Sequence, residues 1–264
     1  MTVFMPQDEK RRVPRTVHLP DGLRVGSVPY LNALPLTSAL DCQLTRLEPR
    51  ALAQSLRDGA LDVALVPVME VLDAPAGTYR VASGVAIGAE REVYSVYLRH
   101  TVPVGEIRSV ALDAASKTSA ELARIVLERF HKLQPEYRAP GEPADAVLMI
   151  GDPAIAYRRA HPEEKYLDLG AAWRDATGMG FVFAVWAMRL PLLKAWRTAR
   201  GLRTAAKLGR EKRGKLAADE FERAYLRKYL SNALGAEQKK SIALFGRMLV
   251  ESGRVPDAPK VRYI

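Results

Sequence analysis

Residues 25–36 read Val25-Gly26-Ser27-Val28-Pro29-Tyr30-Leu31-Asn32-Ala33-Leu34-Pro35-Leu36. The mostly apolar run over 23–28 predicts a short buried strand. Pro29 breaks it, and a helix is expected to start near Pro35, because proline suits a first helical turn. Ser27, Tyr30 and Asn32 therefore sit at a strand-to-helix crossing, three neutral side chains able to hydrogen-bond. Open α/β sheets bind ligands outside the carboxyl ends of their strands, so a pocket is expected here. The same residues also fit an ordinary βα turn in which Asn32 only caps the helix.

Outward from that stretch the order is strand, helix, strand. Residues 51–58 read as a short helix stopped by Gly59, and 61–67 as a buried strand followed by a helical or turn segment over 70–73. Strand-like patches recur at 79–85 and 93–98. The pattern then restarts. A strand at 110–112 precedes a helix over 120–131, whose Leu122, Ile125, Val126 and Phe130 fall at helical spacing. A loop over 134–143 leads to a strand at 146–150 and a helix at 154–160. A loop carrying Trp173 precedes the apolar run 181–187. Residues 191–250 are helical in pattern, with breaks around Gly214 and Gly235. Two α/β units, joined by one strand leading out (94–98) and one leading back (181–187), predict a two-lobed, periplasmic-binding-protein-like fold of type II. Its ligand cleft would lie between the lobes. The expected boundaries are a mobile extension over 1–22, lobe 1 over 23–98, lobe 2 over 99–180, and a return strand with C-terminal helices on lobe 1 over 181–264.

The composition of the 264 residues, 48% hydrophobic and 27% charged, is that of a globular protein. The single cysteine, Cys42, rules out an intramolecular disulfide and a cysteine-rich metal site. Residues 1–22 lack the apolar core of a secretory signal, and no apolar run reaches membrane-spanning length. A cytoplasmic location without a membrane partner is therefore expected. The net charge of +10 is concentrated, because residues 189–228 hold 13 Lys/Arg against 4 Asp/Glu. Without a recognition motif or interleaved aromatics, that run reads as a solvated helical face that steers small anions, and no nucleic-acid partner is expected.

Ser116-Lys117-Thr118-Ser119 lies directly before a helix, where unpaired N–H groups and the helix dipole attract carboxylates. A simple cap by Ser116 or Thr118 is the competing reading. Asp152, before Pro153 at another helix start, is the most tempting carboxylate but also fits a cap, and Glu70 fits a cap or a lobe contact. His18, His100, His131 and His161 fall in no metal-ligand spacing. Dinucleotide, phosphate-loop and nucleophile-elbow motifs are missing. No metal and no cofactor are expected.

The opening stretch resembles the Val-Gly-x-x-x-Tyr-Leu-Asn-x-x-Pro-Leu signature of the chorismate dehydratases of the futalosine route to menaquinone. Further blocks keep the family's order: residues 62–67 with Glu70, 83–89, Tyr94-Ser95-Val96, Asp113 to Ser119 as Asp-x-x-Ser-x-Thr-Ser, 150–152, 168–170, Trp173, Thr177-Gly178, 181–186, then Tyr225-Leu226 and Phe245. The departures are the N-terminal extension, Met179-Gly180 in place of a Leu-Pro-like pair, and the basic run. The resemblance implies a carbon–oxygen lyase that removes water from chorismate to give 3-[(1-carboxyvinyl)oxy]benzoate, with Asn32 and Ser95 as catalytic residues. Ser27, Tyr30, Ser116, Thr118, Ser119, Asp152 and Thr177 would bind substrate. A sister enzyme of the same pathway, of the 1,4-dihydroxy-6-naphthoate synthase type, and a non-catalytic small-anion binding protein remain alternatives. Oligomeric state is unassigned.

Overall fold

The structure, a computed structural model, describes residues 16–113, 116–257 and 260–264. The apolar head of the opening stretch becomes β1 (Val25–Ser27), buried throughout, between β2 (Leu44–Arg46) and β3 (Val63–Pro67) and parallel to both. A strand flanked on both edges and covered on both faces needs apolar residues along its length, which is why the run does not alternate. After β1 come a 3-10 turn, Leu31–Ala33, and α1 (Leu34–Thr37), with Pro35 in its first turn. α2 (Pro49–Arg57) joins β2 to β3, and α3 (Val68–Leu72) leads towards β4 (Arg80–Ala89).

The chain then crosses to a second sheet. Its elements are β5 (Val96–His100), β6 (Ser109–Ala111), α4 (Lys117–Ile125) continued by a π turn, β7 (Glu136–Arg138), β8 (Ala146–Ile150), α5 (Gly151–Ala160), β9 (Lys165–Asp168) and α6 (Leu169–Thr177). The return is β10 (Phe181–Met188), followed by α7 (Leu192–Glu211), α8 (Arg213–Leu216), α9 (Glu220–Lys228), α10 (Ala236–Glu251) and β11 (Arg262–Tyr263). Strand order is β11-β4-β10-β3-β1-β2 in the first sheet and β7-β6-β8-β5-β9 in the second. The two strands that follow the crossings, β5 and β10, run antiparallel to both of their neighbours. This is the two-lobed α/β arrangement expected from the sequence.

The crossings are held firmly. On the outward one, Tyr94 adopts a left-handed φ of 65°, unusual for a residue with a side chain. Its N–H donates to Asp168 Oδ2 (2.8 Å) and that of Val93 to Asp168 Oδ1 (3.1 Å). The same Oδ1 accepts from Gly170 and Ala171 (3.0 Å each), so one buried carboxylate fastens the crossing and caps α6. Beside the return crossing, the Trp173 ring meets Phe130, Phe181 and Phe245, and its Nε1–H donates to Ser241 Oγ (3.0 Å). A fully buried tryptophan shared between α6 and α10 ties the two halves by several kcal/mol, roughly 3–5 on truncation.

Several expectations need correction. The break expected around Gly214 is a turn at Lys212 between α7 and α8, and a second, longer one opens over residues 217–219, where Asp219 caps α9 through the Glu222 N–H. The loop expected over 134–143 contains β7, and the one carrying Trp173 is β9 and α6. Residues 1–15 lie outside the described residues. The end of the expected mobile extension is packed, with Val17 bridged to Leu40 and Leu19 buried, since Leu19 gains apolar cover beside Gly201 of α7. Among the described residues no helix is long and apolar enough to cross a membrane.

Candidate functional site

Between the sheets lies a cleft of about 580 Å³, mouth included. One wall comes from the opening stretch (Val28, Tyr30, Asn32) with Pro49, Leu65 and Pro67. The opposite wall is Ile150 and Gly151, where β8 meets α5, together with Ser116 and Ser119 at the start of α4. The floor takes Val93, Ser95 and Val96 from the outward crossing, Phe183 and Ala184 from β10, and Tyr225 and Leu230 from the C-terminal helical region. A shift in register between β10 and β4 falls between Val182 and Ala184, leaving Phe183 without a partner on β4 beside the cleft. Among the described lining residues none carries a charge.

The polar groups form two sets. On the floor the Ser95 and Tyr225 hydroxyls lie 2.9 Å apart. Tyr225 is fully buried, and burial above all holds its pKa above the usual phenol range, although hydrogen bonds with Ser95 and Asn32 pull the other way. It therefore stays protonated and available as a donor. Asn32, which lines the cleft, carries a buried side-chain oxygen without a hydrogen-bond partner among the described residues, an acceptor left unsatisfied. On the wall, Ser116 caps α4 by accepting from the Ser119 N–H (3.3 Å), and the two hydroxyls stand 3.1 Å apart. The N-termini of α4 and α5 both open on this wall, so backbone dipoles supply the positive potential that side chains do not.

Tyr30 lines the cleft, donates from its hydroxyl to Glu48, and lies flat against Gly151. Gly151 has φ +67°, and a Cβ there would stand 3.1 Å from the Tyr30 ring. Only glycine fits without displacing that ring. Burial, then the Glu48 bond, raises the Tyr30 pKa.

Five of the nine expected site residues line the cleft, namely Tyr30, Asn32, Ser95, Ser116 and Ser119. The other four do not. Ser27 turns its hydroxyl back to the Val28 carbonyl (3.3 Å), because β1 is enclosed on both sides. Thr118 Oγ1 accepts from the Met69 N–H (3.1 Å), stitching α4 to α3. Asp152 accepts from the Leu31 N–H at both carboxylate oxygens (3.1 Å each) and thereby joins α5 to the opening turn. Thr177 donates to the Trp173 carbonyl (2.7 Å) and accepts from the Met179 N–H (3.2 Å), finishing α6. Tyr225 is the floor residue that sequence reasoning missed. Its signal was an aromatic with a polar tip on the buried side of an otherwise charged helix. Among the described residues no group of three His, Cys, Asp or Glu side chains converges to hold a metal ion.

Known proteins resemble this chain at two levels. The structure of protein AF1704 from Archaeoglobus fulgidus superposes with a TM-score of 0.68 at 14% identity, covering 88% of this chain and 98% of that one. The periplasmic aliphatic sulphonate binding protein SsuA from Escherichia coli gives 0.60 at 17% identity, over 94% and 90%. At these identities the likeness is one of fold, the periplasmic-binding-protein type. In sequence, a chorismate dehydratase from Thermus thermophilus is 34% identical over 117 residues, which span 37% of this chain and 43% of that relative. The profile of a family described as menaquinone biosynthesis matches residues 23–251, from the lead-in to β1 to the end of α10. The chain belongs to that menaquinone biosynthesis family.

Proposed function

We propose that the protein is a chorismate dehydratase, a hydro-lyase that converts chorismate to 3-[(1-carboxyvinyl)oxy]benzoate. The observation that carries this reading is the cleft's chemistry. Uncharged hydroxyls and amides face one another across an apolar slot, with two helix N-termini on one side. The partial match to the Thermus thermophilus dehydratase supports the same substrate.

Chorismate brings two carboxylates, a ring hydroxyl and an enolpyruvyl ether. In the elimination the C3–H bond breaks and its electron pair delocalises through the ring towards the ring carboxylate. The pair then returns to expel the C4 hydroxyl, proton and hydroxide leave as one water, and the ring becomes aromatic. Ser116, Ser119 and the α4 N-terminus hold the ring carboxylate, where charge accumulates in the transition state. Donors already fixed in place stabilise that charge without reorganising. Ser95 and Tyr225 hydrogen-bond the substrate from the floor, and Asn32 orients the departing hydroxyl through its unpartnered oxygen. The enolpyruvyl carboxylate of the substrate takes the C3 proton and passes it to the leaving hydroxyl. Apolar walls from Leu65, Pro67, Ile87 and Phe183 keep bulk water from the reacting face. A biosynthetic step on a charged metabolite fits the expected cytoplasmic location.

The test is to incubate the purified protein with chorismate alone and follow products by chromatography and mass. Loss of one water with an aromatic product and no pyruvate is expected. Unchanged chorismate refutes the reading. If chorismate then still raises the melting temperature, a small-anion binding protein takes its place. Turnover of a larger cyclic intermediate instead would mark the sister enzyme.

A further inference from the structure

Among the described residues the large apolar side chains left exposed are Leu192, Leu193 and Trp196, at 59%, 76% and 56%. All three lie in the first turn and a half of α7. The rest of that helix explains why they are not core residues. Its inner face is Ala195, Thr198, Ala199, Leu202, Ala205, Ala206 and Gly209, mostly small residues that let α7 lie close on α1 and β4. The contact is so tight that a Cβ on Gly209 would meet the Pro35 carbonyl. Scattered exposed leucines need no explanation, but a Leu-Leu-x-x-Trp cluster beginning a helix has a specific character.

Basic residues complete that character. Arg197, Arg200 and Lys207 continue the outer face at helical spacing, all exposed and without ion pairs among the described residues. The outer stripe of α7 is thus apolar at its start and cationic along its length. It lies in the segment that holds 13 of the chain's basic residues against 4 acidic ones.

We propose that this stripe docks the protein on an anionic lipid surface. Leu192, Leu193 and Trp196 enter the headgroup region, and Arg197, Arg200 and Lys207 meet lipid phosphates. Interfacial binding of this kind combines a small apolar insertion with electrostatic attraction, and tryptophan settles at headgroup depth. Charge complementarity selects this occupant over a second copy, because two copies would bring like-charged stripes together. It is also favoured over nucleic acid, which would satisfy the arginines but leave the leucines exposed. Peripheral docking replaces the expectation of no membrane partner and stands whatever substrate the cleft accepts.

The protein carries its own reporter. Trp173 and Trp186 are fully buried, so a change of tryptophan emission on adding vesicles reads Trp196. The full chain is mixed with vesicles of phosphatidylcholine containing phosphatidylglycerol, or of phosphatidylcholine alone, and followed by emission and co-sedimentation. Binding with a blue shift on the anionic vesicles, weakening with salt, is expected. Reversing three charges, in R197E/R200E/K207E, lowers partitioning by at least about 100-fold, and Trp196→Ser removes the shift. Equal partitioning of the triple variant, or none on anionic vesicles at low salt, overturns the proposal. So does a Leu193- and Trp196-dependent dimer by sedimentation velocity, or DNA binding that the triple variant loses in the absence of any vesicle binding.

Discussion

Replacing Asp168 by asparagine changes one atom and tests how the outward crossing is held. Oδ1 accepts from Val93, Gly170 and Ala171, and an amide oxygen can keep those three bonds. Oδ2 accepts from the Tyr94 N–H at 2.8 Å and faces Arg158 Nη1 at 3.5 Å. An amide nitrogen there turns its protons towards two donors. The loss is one buried hydrogen bond to a charged acceptor, about 1.5–3 kcal/mol, plus part of the Arg158 interaction, which Glu92 at 2.9 Å partly compensates. The sum is about 2–4 kcal/mol. For a chain of this length that lowers the melting temperature by roughly 5–12 °C. The assay is thermal unfolding followed by circular dichroism, with a urea titration as a check on the slope. A melting temperature within about 2 °C of the native protein's would refute the view that this carboxylate fastens the crossing.

Tyr225→Phe removes the hydroxyl 2.9 Å from Ser95 while keeping the buried ring; chorismate turnover should fall about 10- to 100-fold with little change in melting temperature. Gly151→Ala forces a side chain into a φ of +67° and against Tyr30; a stability loss of about 1–2 kcal/mol and weaker substrate binding are expected from denaturant and kinetic titrations. Burial raises the Asp152 carboxyl above its ordinary 3.8, despite the opposing bond from the Leu31 N–H. The fold thus favours its neutral form. The stability of the native protein relative to Asp152→Asn should be greatest at acid pH and decline as pH rises from about 3.8 through the raised pKa. Paired urea titrations across that range measure the slope, and a flat or rising difference contradicts the sign.

The legible parts of the fold were those whose signal is local. The strands at β8 and β10 are apolar runs bounded by turn residues, and the opening stretch carries its own break and helix start. β2, β7 and β11 were illegible because two or three partly exposed residues form a strand only when a neighbouring strand offers its edge. The same division runs through the site. Ser116 and Ser119 were readable from their place before a helix. Thr118 and Asp152 were polar in the right places, but their partners, Met69 and Leu31, come from the other lobe. Tyr225 reaches Ser95 from 130 residues away, a meeting that no local pattern records.

The strand order of the first sheet also bears on how the chain acquires its shape during synthesis. Among the described residues β4 pairs with β10 and β11 and is bridged at Gly88 to Ser231, all of them downstream. When Ala89 leaves the ribosome, β4 has no strand to join until Phe181–Met188 follows about 90 residues later, a delay on the order of 5–20 s at ordinary elongation rates. Every strand of the second sheet emerges within that interval, so the second lobe can close first. Meanwhile Val81, Ala82, Val85, Ala86 and Ile87, all buried in the finished protein, stand uncovered on an open edge. Gly84 and Gly88 interrupt the segment and weaken it as a lone strand. Both are also required in the finished sheet, Gly84 by its φ of +81° and Gly88 by the close approach of the Phe181 carbonyl.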